Sequence, residues 1–458
     1  MIYDVASPQR FLQRVLKSPS AILVGTNIVS LLARMISTII LTRLLDTTAF
    51  GAIGIITTFS FVIVMLTDLG FYQYTVRSER INDAKFLDKV WTVRLTRDAI
   101  ISVIFILCSG PMANYVNNPE LQLAFVIMSL TLILDGASSM AFATAAKDRL
   151  IGRLSLLDFI PMAFTIPTTI VLAIEVRSYW AMIISIVFGS LIKAILSYTM
   201  FENSRRRLDF DRSIFIDIWK FGRFIVPSSV ITLLIGQSDK LVLVRFFSIQ
   251  DFGLYSLASN LSMAPSNLMN SYASRILYPA FSDSTIKATS ENSAIFYEFG
   301  SITRLLFIFF SGLIVTAAPV IIAILYDDRY INASQYLSIL LLVNIINFVI
   351  GTENEMLVAC GKVRWQLNFN IFRLFIYCLS GTLLFKSIGP IGLVWALVVT
   401  SVLTKIGMSM AMGSLGIVRL KHELRFWGSA FLGLALGLGF TVLARDFAPN
   451  IPLPFSSI

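Results

Sequence analysis

The feature that most restricts this chain is a succession of apolar runs, each long enough to cross a bilayer, repeated nearly end to end from Ala21 to Leu443. A helix rises about 1.5 Å per residue, so about 20 apolar residues span the hydrocarbon core. In lipid every backbone N–H and C=O must be satisfied internally, which leaves helices or a closed barrel. Thirteen runs of helical length lie near 20–44, 48–72, 92–116, 120–146, 153–175, 178–202, 221–246, 249–276, 297–326, 331–358, 364–387, 389–413 and 426–447. Several exceed the minimum, which implies tilt. Composition agrees: 56% of the 458 residues are hydrophobic and 14% are charged, against about 25% charged in soluble domains. The expected fold class is an all-α polytopic membrane protein.

Before the first run, Arg10, Arg14 and Lys17 surround Phe11, Leu12, Val15 and Leu16. Residues 5–17 read as an amphipathic helix lying on the membrane surface. The following stretch, Ala21 to Leu45, is too long for a signal-peptide core and lacks a small-residue cleavage site.

A net charge of +10 raises the question of a nucleic-acid partner, and the positions of the charges answer it. With the N-terminus on the cytoplasmic side, the inner segments hold 25 Lys and Arg residues, with the densest groups at Arg77–Arg97 and Arg205–Arg223. The outer segments hold 5: Arg177, Arg245, Arg329, Lys386 and Arg445. This loop-by-loop alternation is the positive-inside pattern, so the basic charge is topological and no nucleic acid is expected. Trp91, Trp180, Trp219, Trp365 and Trp427 fall near span ends, as interfacial anchors do. Cys108, Cys360 and Cys378 show no CxxC spacing, and His422 is the only histidine. No disulfide framework, metal site or cofactor is expected.

The longest charged connection, containing ENSRRRLDFDR, follows the sixth run and divides the first twelve equally. Near the start of each half the sequence repeats: Arg43 to Gly51 aligns with Arg245 to Gly253 at a constant offset of 202, with arginine, phenylalanine and glycine coinciding. An even number of spans separates the copies, so both halves share one orientation, as in transporters built from parallel repeats. A chance match between two short outer loops is the competing reading. The expected organisation is a surface helix over 1–18, a six-helix lobe over 19–204, a linker over 205–220, a second six-helix lobe over 221–415, and one extra C-terminal span with its tail over 416–458.

The stretch TRLLDTTAFGAIGIITTFSFVIVMLTDLGF, followed by a charged inner loop, resembles the opening hairpin of Wzx-type oligosaccharide flippases. These belong to the multidrug/oligosaccharidyl-lipid/polysaccharide (MOP) exporter superfamily. SDKLVLVRFFSIQDFGLYSLA is similar to the equivalent hairpin of the second lobe, with Asp239 and Lys240 as its acid–base pair. The resemblance covers about residues 20 to 415. It implies two six-helix lobes around a central cavity. It also implies transport of an undecaprenyl-diphosphate-linked oligosaccharide from the cytoplasmic to the periplasmic leaflet of a bacterial inner membrane, by alternating access. Membrane lipids, a polysaccharide polymerase and chain-length proteins are the expected partners, and a monomer the expected unit. Family members often carry twelve or fourteen spans, whereas thirteen are read here; PNIPLPFSSI is too short to cross and is expected on the periplasmic side.

Ionisable side chains at membrane depth are costly and tend to face a cavity or a partner. Arg34 and Arg373 lie nearest mid-depth and are hardest to explain by snorkelling. A guanidinium stays charged when desolvated and forks onto phosphate oxygens. Arg34 and Arg373, assisted by Lys240 and Arg304, are therefore the expected diphosphate site. Inter-helix ion pairs, such as Arg373 with Asp135, are the competing reading. Asp135 and Asp239 are candidates for holding a coupling ion. Asn260, Asn267, Asn270, Asn344, Asn347 and Asn370 recur on helical spacings that suit a glycan lumen, though amides equally tie helices together. Lys193 and Lys405 are placed to snorkel, and Asp68 and Glu353 read as ordinary inner-end carboxylates. Pro161, Pro167 and Pro265 are compatible with hinges, although membrane helices tolerate proline without them.

A lipid II flippase carries a similar head group and stays open as an alternative. A multidrug or cation exporter would favour an acidic lumen, unlike the basic set here. A polysaccharide polymerase or glycosyltransferase needs more extramembrane chain than outer loops such as NNPE and SIQD provide. No GxxxxGK[ST] is present, which removes ATP hydrolysis by that route, and a transporter rather than an enzyme is expected.

Overall fold

A computed structural model of the chain describes residues 19–148, 150–272, 297, 301–359, 362–417, 420–448 and 451–454. The surface helix expected over 5–17 lies outside the described residues. No strand occurs among them. Among the described residues thirteen long helices fall on the thirteen apolar runs. The first six are α1 (Pro19–Leu44), α2 (Thr47–Leu66), α3 (Ala84–Tyr115), α4 (Leu121–Ala137), α5 (Ile151–Val176) and α6 (Trp180–Thr199). The others are α7 (Arg212–Phe246), α8 (Ile249–Tyr272), α9 (Ser301–Leu325), α10 (Ala333–Ala359), α11 (Val363–Ile388), α12 (Ile391–Ser414) and α13 (Leu420–Phe447). Among the described residues eight helices are long and apolar enough to cross a membrane, and a ninth is obtained if α4 and the short helix after it form one bent span.

Two runs are broken where hydropathy alone predicts continuity. α4 stops at Ala137, and the short helix Ala141–Lys147 leaves at 56°. The break is held by side chains. Trp91 Nε1 (3.2 Å) and the Tyr198 hydroxyl (2.5 Å) both donate to the Ala137 carbonyl. Ser197 Oγ receives the Ser139 N–H at 2.8 Å. Carbonyls that lose their helical donors at a kink need such substitutes. The run after α2 is broken likewise: Asp68 accepts the Gly70 N–H at 2.9 Å, Gly70 takes φ +69°, and a second short helix, Phe71–Arg77, follows. Trp91 is accordingly not an interfacial anchor. It is 8% exposed and packs with Leu69, Phe71, Phe86, Ile214 and Ile218, whereas Trp219 is 57% exposed.

The chain divides into two compact units, one comprising residues 1–45 and 55–233, the other 46–54 and 234–458. In the first, the connection after α6 is tied to the start of α3 by Lys89 Nζ to Asp211 Oδ2 (2.7 Å) and Arg206 Nη1 to Asp88 Oδ1 (3.3 Å).

In the second unit, the opening turns of α2 cross α8, and here the sequence repeat becomes physical. A Cβ on Gly51 would lie 1.9 Å from the Ile249 carbonyl oxygen, and one on Gly253 would lie 2.1 Å from that of Thr47. Thr47 and Ile249 are themselves equivalent at the offset of 202. Each copy thus packs on the other through the same positions, the reciprocity a two-fold relation produces. Beside the crossing, Phe50 stands edge-on to Tyr330 at 5.5 Å and Arg329 pairs with Asp46. The extra helix α13 is no loose appendage. Gly433 and Gly437, a GxxxG pair, bring it against α9, where added Cβ atoms would meet the Phe309 and Leu313 carbonyl oxygens at 2.2 Å.

Candidate functional site

Among the described residues, three clusters of ionisable side chains stand out, one in the first unit and two in the second.

In the first unit a cavity of about 470 Å³ is lined by Arg94, Arg97, Asp98, Asp135, Asp158 and Lys193. α3 supplies the first three within one turn, since positions three and four apart share a helix face. Arg97 Nη1 reaches Asp98 Oδ1 at 2.5 Å, and Arg94 Nε reaches Oδ2 at 3.7 Å. The orientation of Arg97 is fixed by its Nε on the Thr67 carbonyl (3.1 Å) and its Nη2 on Thr67 Oγ1 (2.9 Å). Arg94 Nη2 donates to the backbone carbonyl of Asp135 at 2.7 Å. The carboxylate of Asp135 opens into the cavity and takes no hydrogen bond or ion pair among the described residues. Lys193, expected to snorkel, crosses from α6 to Asp158 on α5 at 2.8 Å. Arg34 belongs to the same unit but does not line this cavity. It is exposed on α1 and forms no ion pair among the described residues.

In the second unit, Asp239 on α7 accepts a hydrogen bond from the Tyr255 hydroxyl of α8. The charge of Arg373 on α11 acts on Asp239, and Tyr377 is a further neighbour. Arg373 and Asp239 form no ion pair with each other among the described residues. Tyr255 is itself held edge-on by Phe247 (6.2 Å) and Tyr336 (5.8 Å). Lys240 is half-buried.

The third cluster, also in the second unit, joins four long helices. Lys405 Nζ on α12 lies 2.6 Å from Glu353 Oε1 on α10 and 3.0 Å from Glu423 Oε2 on α13, and donates to Ser409 Oγ at 2.8 Å. The Tyr297 hydroxyl donates to Glu423 Oε1 at 2.9 Å. Arg304 of α9 is 2% exposed, stacks on Phe426 at 5.0 Å and donates to the Tyr297 carbonyl at 3.4 Å. It is enclosed, and presents no face to a head group in this conformation. Lys405 is 5% exposed and does not snorkel. Glu353, read as an ordinary end-of-span carboxylate, is wholly buried.

Of the amides, Asn344 Nδ2 donates to the Ser262 carbonyl at 2.9 Å, tying α10 to α8. Asn347 Oδ1 accepts from Ser401 Oγ at 3.2 Å, tying α10 to α12. These two join helices. Asn260 is exposed and Asn370 half-buried, while the side chains of Asn267 and Asn270 lie outside the described residues. No group of three or more His, Cys, Asp or Glu suited to a metal occurs among the described residues.

The Lys405 cluster is the functional feature that sequence spacing does not reveal. Its members come from positions 353, 405 and 423, and no local motif links them. The available signal was depth: all three fall at the same end of their spans.

Long apolar helices, several of them joined by buried ion pairs, define a multi-pass helical membrane protein. The chain belongs to the polysaccharide biosynthesis protein family, which it matches over residues 40–335. It is 22% identical over 349 residues to the lipopolysaccharide biosynthesis protein WzxC of Escherichia coli, covering 74% of this chain and 68% of that protein. It is 20% identical over 321 residues to the teichuronic acid biosynthesis protein TuaB of Bacillus subtilis, covering 69% and 65%. Among solved structures, lipid II flippase MurJ in an inward closed conformation superposes with a TM-score of 0.71 at 12% identity, covering 93% of this chain and 99% of that one. An inward-facing multidrug resistance MATE family transporter of the MOP superfamily gives 0.57 at 16% identity, covering 84% and 95%. At such identities the likeness establishes the fold, which this chain shares with both.

Proposed function

We propose that this protein moves a lipid-linked oligosaccharide across a bacterial cytoplasmic membrane, as a step in surface polysaccharide assembly. Family membership carries this reading, supported by relatives named for lipopolysaccharide, teichuronic acid, amylovoran and succinoglycan biosynthesis. The substrate class follows as a diphosphate-linked glycan on a polyprenyl chain. Transport by alternating access requires no catalytic chemistry on the glycan. The N-terminus lies in the cytoplasm, in accord with the charge asymmetry of the loops, and the C-terminal tail lies in the periplasm.

Within that reading, Arg34 of the first unit, and Arg373 with Lys240 of the second, each serve as cations for the diphosphate. Desolvated phosphate oxygens demand cations that stay charged, which arginine supplies. The observation behind Arg34 is its exposure at membrane depth without an ion pair among the described residues. Asp135, opening into the cavity of the first unit, is the carboxylate free to answer a coupling cation. Arg304 contributes from the second unit only if the helices around it part. Polymerase and chain-length proteins act on the delivered glycan, and the transporter works as a monomer.

The test replaces Arg34 and Arg373 singly by alanine in a strain lacking the native gene, with surface polysaccharide measured at matched membrane abundance of the protein. Each replacement is expected to lower export at least tenfold. Full export by both variants overturns the diphosphate site. Full export by the deletion strain overturns the function.

A further inference from the structure

The third cluster has a composition that packing alone does not demand. Two carboxylates, Glu353 and Glu423, converge on one ammonium, and all three are at most 8% exposed. Lys405 uses its three N–H donors on Glu353, Glu423 and Ser409, which completes its hydrogen-bonding capacity. Glu423 also accepts from Tyr297 and sits in the first turn of α13, where the helix dipole favours negative charge. Glu353 differs. It is 0% exposed, and its Oε2 has no hydrogen-bond partner among the described residues. A buried carboxylate oxygen without a donor costs free energy unless it carries a proton.

We propose that Glu353 is a proton-binding site, loaded through Lys405 from an opening on its far side. That opening is a cavity of about 460 Å³ whose wall includes Lys405, Ser409, Glu423 and Trp427 but not Glu353. The ammonium passes one N–H proton across the 2.6 Å hydrogen bond to Glu353 Oε1, and the neutral amine left behind takes up a proton, through its freed lone pair, from a hydronium ion entering by the cavity. The lysine stays an ammonium, Glu353 becomes a neutral acid, and the group as a whole gains one proton. The new O–H can then serve either oxygen of the carboxyl.

The charged and titratable groups facing Glu353 are Lys405 from α12, Glu423 from α13 and, at longer range, Arg304 from α9. A monovalent metal ion would need the oxygens that already hold the Lys405 ammonium, so the ligand is a proton rather than sodium. Loading dissolves the ion pair between α10 and α12 while leaving Lys405 bound to Glu423 on α13. The tie between α10 and the α12–α13 pair therefore depends on protonation, which is what coupling a proton gradient to a conformational cycle requires. Only this last step, coupling to transport, rests on the flippase reading.

The experiment treats the purified full-length protein in detergent with a hydrophobic carbodiimide, which modifies protonated carboxyls in apolar surroundings. Modified residues are located by mass spectrometry across a pH series. Glu353 is expected to be modified, with a yield that falls several-fold as pH rises. Glu353→Gln is expected to lose that adduct alone, and Lys405→Met to give high modification at every pH. No modification of Glu353, or a wild-type yield independent of pH, overturns the proposal, and both outcomes are read on wild-type protein even if a variant fails to fold. In reconstituted vesicles, Glu353→Gln is expected to leave flipping insensitive to an imposed pH gradient. A pH-dependent adduct without any flipping overturns the function and spares the proton site. Normal gradient dependence in Glu353→Gln overturns the coupling.

Discussion

The two units handle buried charge in opposite ways. In the first, Arg94, Arg97, Asp98, Asp135, Asp158 and Lys193 surround an open cavity, and Asp158 and Lys193 keep 73% and 43% of their side chains exposed. In the second, Lys405, Glu353, Glu423 and Arg304 are each at most 8% exposed, packed among aromatic rings and helices, with Lys405 and Glu423 reaching the wall of a cavity. Charges in a wet cavity retain solvation, so pairing contributes little and the groups can exchange partners with a ligand. Sealed charges have given up water, and each depends on the others. The open set is therefore suited to meeting ions, and the sealed set to holding helices in one arrangement until a proton alters the balance.

The sealed set should respond most strongly. Lys405→Met leaves two carboxylates facing each other without a cation, and removing one partner of a buried pair costs about 3–5 kcal/mol. Thermal unfolding in detergent at neutral pH is expected to show that loss. The double variant Lys405→Met/Glu353→Gln should recover part of it, because the stranded charge is gone. A single variant as stable as wild type would mean that water already reaches Glu353, and the contrast between the units would disappear.

Gly437→Val tests the packing that seals the cluster. Its Cβ would meet the Leu313 carbonyl oxygen at 2.2 Å, and such overpacking costs about 1–3 kcal/mol. The expected result is a lower unfolding temperature together with faster carbodiimide modification at Glu353, since a displaced α13 opens the site. Unchanged modification would show that α13 is not its lid.

The division between what the sequence discloses and what it hides follows the range of the interactions. Thirteen helices were legible because hydropathy is local, and the repeat at Gly51 and Gly253 because its copies keep register. The kink at Ala137 was not, since it is held by Trp91 and Tyr198 from other helices, whereas the break at Gly70 rests on a local hydrogen bond to Asp68 that hydropathy does not register. Mid-depth cations were visible as anomalies, but not their neighbours. Lys405 lies beside Glu353 and Glu423 through contacts between residues far apart in sequence. Sequence spacing placed Arg304 with the head-group cations, and only the three-dimensional arrangement encloses it under Phe426.

In the open cavity the same kind of substitution should do little to stability. Lys193→Met removes a pair worth at most about 1 kcal/mol in an exposed setting, so the unfolding temperature is expected to fall only slightly. A loss as large as that of Lys405→Met would show that the cavity is dry and that both units seal their charges alike.

The smallest effect belongs to a pair outside the spans. Hydrogen bonds from Lys89 and from Ser213 hold the Asp211 carboxyl well below the usual carboxylate range. A depressed value stabilises the fold wherever the unfolded-state carboxyl is ionised, above about pH 3.9, and that contribution is lost as pH falls through the lower folded-state value. Asp211→Asn is therefore expected to unfold slightly below wild type, by a margin constant from neutral to mildly acid pH, with the two curves converging in strong acid. Because the pair lies outside the spans with 24% and 29% of its side chains exposed, added salt should shrink the margin as well, by screening. Lys405→Met should be much less sensitive to salt, since the charges of its cluster are at most 8% exposed. Equal salt sensitivity in the two variants would place both pairs in contact with water and erase the distinction between a solvated tether and a buried switch.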